Sequence, residues 1–205
     1  MFPSMALHTR SDSVQTRQQI LQAACSVAIH GGPQALTIDG VAREAGMSKG
    51  GVLYHFPSKE SLMKGLLKLH QSCAWQGMHL HWKADPRTEG RWHRAWIKAN
   101  FDGLRRSGDM ENASLFATVT STPELLAFLQ RQFRRIQWCL DFDGLDPLWS
   151  RMLISSVAGL RYDRLFRFCW VEQDSLDGLE RKTLEMLEQI LRQGDLTQVP
   201  PRTST

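Results

Sequence analysis

A serine framed by glycines, Gly46-Met47-Ser48-Lys49-Gly50, carries the spacing G-x-S-x-G that can lift a nucleophile onto a sharp turn between a strand and a helix. That chemistry also needs a strand ahead of the serine, and a histidine and an acid to activate it. The residues before Ser48 read instead as helix, and no series of alternating β-branched strands is present to build a sheet. The last histidine is His93, which leaves few bases. The match reads as chance, with a serine hydrolase kept as an alternative. Metal chemistry finds little support. His79 and His81, two residues apart, point to different faces of a helix, and His70 with Cys73 is a lone i, i+3 pair. No glycine-rich phosphate loop follows a strand. The expectation is no catalytic residue, no metal and no cofactor.

Residues 37–59 carry a different chemistry. Thr37 suits a helix N-cap, its hydroxyl accepting an orphan backbone N–H, and Ile38, Val41, Ala42 and Ala45 follow at i, i+3, i+4 and i+7. Gly46 ends that short helix, and Ser48 caps another that runs to Phe56. Two short helices separated by Gly46-Met47-Ser48 have the proportions of a helix-turn-helix. Ala42 and Ala45 are small enough for the helices to cross closely, and Val52 and Phe56 turn into the core. Lys49, Gly50, Gly51, Leu53, Tyr54 and His55 then face outward. A helix start with a lysine beside it and no acid from Met47 to Lys59 suits phosphate oxygens. Gly50 and Gly51 cost helix stability but let the backbone approach a groove.

The elements around this segment also read as helices, giving an all-α fold. A helix over Thr16 to Ile29 is stopped by Gly31-Gly32-Pro33. Pro57 breaks the chain and Ser58 caps a long helix carrying Leu62, Leu66 and Leu69. Arg87 to Arg106 holds Trp92, Trp96 and Phe101 and is closed by Ser107-Gly108-Asp109. Thr122-Pro123-Glu124 and Asp146-Pro147 are start signals, and a final helix runs from Ser175 to about Gln193. The last two long helices are expected to pair with their copies in a second chain. Ser155, Ser156, Ala158 and Gly159 allow close approach there, while Leu176, Leu179, Leu187 and Ile190 supply an apolar stripe.

Of the 205 residues, 42% are hydrophobic and 22% charged, which excludes a disordered chain, a collagen-like repeat and a coiled-coil rod. The net charge is +4, too small a surplus to name a partner by itself. Its location is more telling: residues 1–70 hold 7 Lys/Arg against 4 Asp/Glu, and residues 71–205 hold 18 against 17. Cys25, Cys73, Cys139 and Cys169 are far apart and read as reduced thiols. Neither a signal peptide nor a membrane span is evident, so Asn112-Ala113-Ser114 is a chance sequon and the chain reads as cytoplasmic, without a membrane partner. All seven tryptophans follow residue 70, where they fill a helical core or wall a cavity for a hydrophobic or cationic molecule. Trp75, Trp96, Phe101, Phe116, Phe133 and Met152 are the candidate cavity residues.

Thr37-Ile38-Asp39-Gly40-Val41-Ala42-Arg43-Glu44-Ala45-Gly46-Met47-Ser48-Lys49-Gly50, followed by Tyr54-His55-Phe56-Pro57-Ser58-Lys59-Glu60-Ser61-Leu62, resembles the tetracycline-repressor (TetR) family of bacterial regulators. The resemblance covers about residues 13–70. It implies a three-helix DNA-binding domain over 13–60, a helical ligand-binding and dimerisation domain over 61–195, and flexible tails at 1–12 and 196–205. It further implies a homodimer on a double-stranded operator, associated with the nucleoid when bound and controlled by a small-molecule effector not identified by the sequence. Thr37 and Ser48 are assigned to capping and phosphate contact, and Lys49 and Gly50 to the start of the recognition helix. Tyr54, His55 and Lys59 match positions that touch the backbone. Leu53 stands where the family often has tyrosine, and Gly51 where a side chain often reads a base, so sequence readout rests on few side chains plus DNA shape. The expected function is a ligand-responsive transcriptional regulator, with a helical ligand-binding module that does not bind DNA as a further alternative.

Overall fold

The computed structural model describes residues 5–106, 119, 122–166, 168 and 171–192, and every regular element among them is helical. In chain order these are α1 (Met5–Ala35), α2 (Ile38–Glu44), α3 (Lys49–His55), α4 (Lys59–Ala84), α5 (Arg91–Arg106), α6 (Pro123–Asp141), α7 (Pro147–Phe166), a short 3-10 turn (Gln173–Ser175) and α8 (Leu176–Arg192). Phe116, Trp170, the Ser107-Gly108-Asp109 stop, the sequon and the carboxyl-terminal tail lie outside the described residues.

The start signals act as their chemistry demands. The Ser58 hydroxyl accepts from Ser61 N–H while the Ser61 hydroxyl accepts from Ser58 N–H, both at 3.1 Å, so each serine satisfies an orphan donor at the start of α4. Asp146 Oδ1 accepts from Leu148 N–H at 2.9 Å and Trp149 N–H at 3.2 Å, and α7 begins at Pro147. α6 begins at Pro123, as Thr122-Pro123-Glu124 predicts.

Two expectations about helix bounds need correction. α1 does not stop at Gly31-Gly32-Pro33 but continues to Ala35. Leu36, 1% exposed, is drawn into the core directly after it, and this tertiary anchor outweighs the weak helix preference of the three residues. α5 starts at Arg91 rather than Arg87, because the Asp85 carboxylate accepts both the backbone N–H and the guanidinium of Arg87 and holds that stretch in a turn.

The chain divides into two compact units, Met1–Cys73 with Gly108–Gln132 and Ala74–Ser107 with Phe133–Thr205. In the first, Ile20, Ala24 and Ala28 of α1 share a core with Val41 and Ala42, with Val52 and Phe56, and with Leu62, Met63 and Leu66. A Cβ on Gly65 would stand 2.7 Å from Phe56 Cε1 and 3.0 Å from Leu21 Cδ2, so this position of α4 must be glycine for the phenyl ring and α1 to close on it.

In the second unit Ile97, Phe101 and Leu104 of α5 pack with Leu153 and Val157 of α7 and with Leu176 and Leu187 of α8. Leu179 and Ile190, half-buried, pack against the same cluster, so the apolar stripe of α8, expected to meet a second chain, is already largely engaged within this one. α7 instead leaves Leu148, Met152, Ser155, Gly159, Tyr162 and Phe166 exposed, a row spaced alternately by four and three residues along one face.

Candidate nucleic-acid interface

The segment from Thr37 to Lys59 is fixed by its own caps. Thr37 Oγ1 accepts from Gly40 N–H at 3.0 Å. At the other end of α2, Met47 N–H donates to the Ala42 carbonyl at 2.9 Å and Gly46 N–H to that of Arg43 at 3.2 Å, with Gly46 at φ 65°. This pairing of bonds closes a helix through a left-handed residue, a conformation glycine adopts without side-chain penalty. Ser48 Oγ then accepts from Gly51 N–H at 3.1 Å and starts α3. The serine of the G-x-S-x-G match is therefore a helix cap preceded by a helix, not by a strand.

Burial sorts α3 into two faces. Val52 and the following Phe56 are fully buried, and Tyr54 is 83% exposed. Lys49, Gly50 and Lys59 are exposed, while Gly51, Leu53 and His55 are half-buried. The Tyr54 and His55 rings meet edge-on at 5.1 Å.

α1 holds this pair from behind. Arg17 Nη1 donates to the His55 carbonyl at 2.8 Å with its guanidinium 4.1 Å above the Phe56 ring, and Gln19 Nε2 donates to the Ala45 carbonyl at 3.2 Å. Ser26 donates to Glu44 at 2.6 Å. Lys49 Nζ lies 3.0 Å from Asp39 Oδ2. The run from 47 to 59 is acid-free in sequence, yet the crossing of α2 and α3 brings in a carboxylate from ten residues back.

A capped helix-turn-helix with a solvent-facing second helix is an arrangement that can dock in a major groove. Residues 20–66 match the model of the bacterial regulatory proteins of the tetR family, and residues 90–188 match that of the tetracyclin repressor-like C-terminal domain. The chain belongs to the TetR family. Members of this family are DNA-binding transcriptional regulators that act as dimers and bind small-molecule effectors, rather than enzymes.

Two curated relatives support the assignment over the helix-turn-helix. The HTH-type transcriptional regulator SrpR of Pseudomonas putida is 36% identical over 67 residues, 33% of this chain and 32% of that one. TtgW, an HTH-type transcriptional regulator of the same species, is also 36% identical over 67 residues, 33% of this chain and 50% of that one. The match thus spans a third to a half of these relatives. Among solved structures, a transcriptional regulator of Pseudomonas aeruginosa PAO1 aligns with a TM-score of 0.67 at 15% identity, over 85% of this chain and 91% of that one. The multidrug binding protein EbrR, complexed with imidazole, aligns with a TM-score of 0.65 at 21% identity, over 85% and 93%. These two likenesses concern the fold.

In this TetR-family chain the candidate ligand residues are differently placed. Phe101 is fully buried in the α5–α7–α8 core, and Trp96 packs against that cluster and also the one around Met78, Ala95, Ile136 and Leu140. Trp75 stacks on Trp92 at 5.7 Å, and Trp92 on Trp82 at 5.0 Å. Arg135 caps this ladder at Trp75, 4.2 Å from the ring, and Arg91 lies 4.0 Å over Trp82. Phe133 and Met152 are 50% and 60% exposed.

His93, the last histidine, has an unexpected environment. Its Nδ1–H donates to Asp143 Oδ2 at 2.8 Å and its Nε2 accepts from the Ser150 hydroxyl at 2.7 Å, the carboxylate fixing the tautomer. The order of groups is that of a hydrolytic triad, but all three are buried, and Asp143 Oδ2 also accepts the His93 backbone N–H. Their role is to tie α5 to α7 and the loop between α6 and α7. Among the described residues no cluster of His, Cys, Asp and Glu is placed to hold a metal, and no helix is long and apolar enough to cross a membrane.

Proposed function

We propose that the chain is a sequence-specific repressor released from a near-palindromic operator by a small hydrophobic effector. Residues 13–60 make the DNA contacts, through Thr37, Ser48, Lys49, Gly50, Gly51, Leu53, Tyr54, His55 and Lys59. Residues 61–195 bind the effector and dimerise, with the exposed row on α7 as the dimer face. The observation that carries the reading is α3 itself: capped by Ser48, pinned at its end by Arg17, and turning Lys49, Gly50 and Tyr54 to solvent.

Selection of duplexes from a random pool, followed by salt titration of the bound complex, tests it. Half-sites should recur about 34–36 Å apart or at a multiple of that spacing. Lys59→Ala should lower the salt slope by about one. An unchanged slope removes Lys59 from the contact set. Failure to retain any duplex at low salt leaves a helical ligand-binding module.

A further inference from the structure

We propose that the groove between α5 and α8 is a binding site for a small polar oxyanion with more than one negative charge, seated on Lys98. The groove has a volume of about 640 Å³, within the range of small-molecule sites. None of the candidate cavity residues lines it, and neither does the exposed row on α7, so it is separate from the effector site and the dimer face proposed above.

α5 sets a row of cations along this groove. Arg94, Lys98 and Arg105 are spaced by four and seven residues and so return to one side of the helix. α8 answers with acids. Arg94 Nη1 donates to Glu188 at 3.1 Å, and Arg105 Nη2 donates to Asp177 at 2.6 Å and to Glu180. These pairs run in opposite senses along the two helices, and in that register Lys98 comes level with Leu184. One rung of the ladder therefore lacks its acid. Lys98 is half-buried, and no hydrogen bond or ion pair reaches it among the described residues. Its spacing from Arg94 adds like-charge repulsion, so the lysine is not placed there to hold the helix.

The acids of the groove are engaged elsewhere. Glu188 also accepts from Arg87 at 2.8 Å, Asp177 and Glu180 are held by Arg105, and Glu185 lies 3.1 Å from both Arg181 and Lys182. Six Lys and Arg line the groove against four Asp and Glu, a surplus of two positive charges, and Leu184 is the one apolar residue among those lining it. A lipid-like molecule finds little there to bury, and a cation meets repulsion at Lys98. An oxyanion supplies the missing rung, with a charge-assisted hydrogen bond from the ammonium group and a second negative charge set against the surrounding guanidinium groups. The floor is already in place. Arg94, 2% exposed, is held by Asp85 and by the Glu89 carbonyl at 2.7 Å, so little ordering is needed on binding.

The test titrates the full-length protein by calorimetry with pyrophosphate and with citrate, against glucose and putrescine, at constant ionic strength set with sodium chloride so that screening is equal. The two anions separate a phosphate from a carboxylate ligand, and at least one is expected to saturate a site that neither glucose nor putrescine fills. Lys98→Met keeps the stem and removes the charge. It should lose about tenfold in that anion's affinity and melt without ligand no lower than the parent. Lys83→Met removes an exposed charge of α4 outside the groove and should bind as the parent does. Saturation by neither anion, full affinity in Lys98→Met, equal losses in the two variants, or a lower melting point of Lys98→Met without ligand would each overturn the proposal.

Discussion

At Gly50 a Cβ would meet only the Ser48 hydroxyl, 4.0 Å away, so alanine fits the free protein without displacing anything. Gly50→Ala should therefore stabilise α3 by about 0.5–1 kcal/mol in a denaturant melt. It should at the same time weaken operator binding, because the methyl group holds the backbone off the groove. A variant that gains stability and keeps full affinity would show that close backbone approach is not used. Asp85 poses a different question. Burial raises its pKa, but hydrogen bonds from Arg87 and Arg94 outweigh burial and hold the carboxyl well below its ordinary value of 3.8. A carboxyl depressed in the folded state contributes stability that is complete above 3.8 and is lost as the pH falls below it. Asp85→Asn, which takes one carboxylate from buried Arg94, should cost about 3 kcal/mol at neutral pH. Urea melts should find the gap between variant and parent closing in acid.

At the scale of elements, two helix faces make separate predictions. Gly65→Ala forces a Cβ into contact with Phe56 and Leu21, and should cost about 1–3 kcal/mol in thermal melts. Because Phe56 closes α3, the same change should disturb DNA binding more than it disturbs effector binding. Gly159 has nothing within 4 Å of an added Cβ, so Gly159→Arg should leave the single chain folded. Light scattering should then find a monomer where the parent is expected to be a dimer, and a dimer that survives would place the interface elsewhere. The helix starts were legible because caps are local: Thr37, Ser48, Ser58 and Asp146 each act within a few residues. What stayed hidden depends on how helices cross. Arg17 and His55 are 38 residues apart, the Asp39–Lys49 pair exists only once α2 meets α3, and α8 turns its leucines to α5 although its pattern fits a second chain equally well.

Over the whole molecule, the surplus of three positive charges in residues 1–70 was legible from composition, but its disposition was not. Lys49 is paired with Asp39 in the free protein, each about 60% exposed, so the bond is worth about 0.2–1 kcal/mol and gives way readily to a phosphate. Lys59 has no such partner among the described residues, which is why its removal should change the salt slope fully. The aromatic residues divide the chain as sharply as the charges do. Every described tryptophan falls in the second unit, while the two tyrosines are split between Tyr54 on α3 and Tyr162 on α7. The protein is thus its own optical instrument. On the proposed function, indole emission, coloured by the Trp75–Trp92–Trp82 stack, would report on effector and subunit events and the absorbance of a fluorinated Tyr54 on the groove, so the two halves of a switching event could be timed separately in one chain.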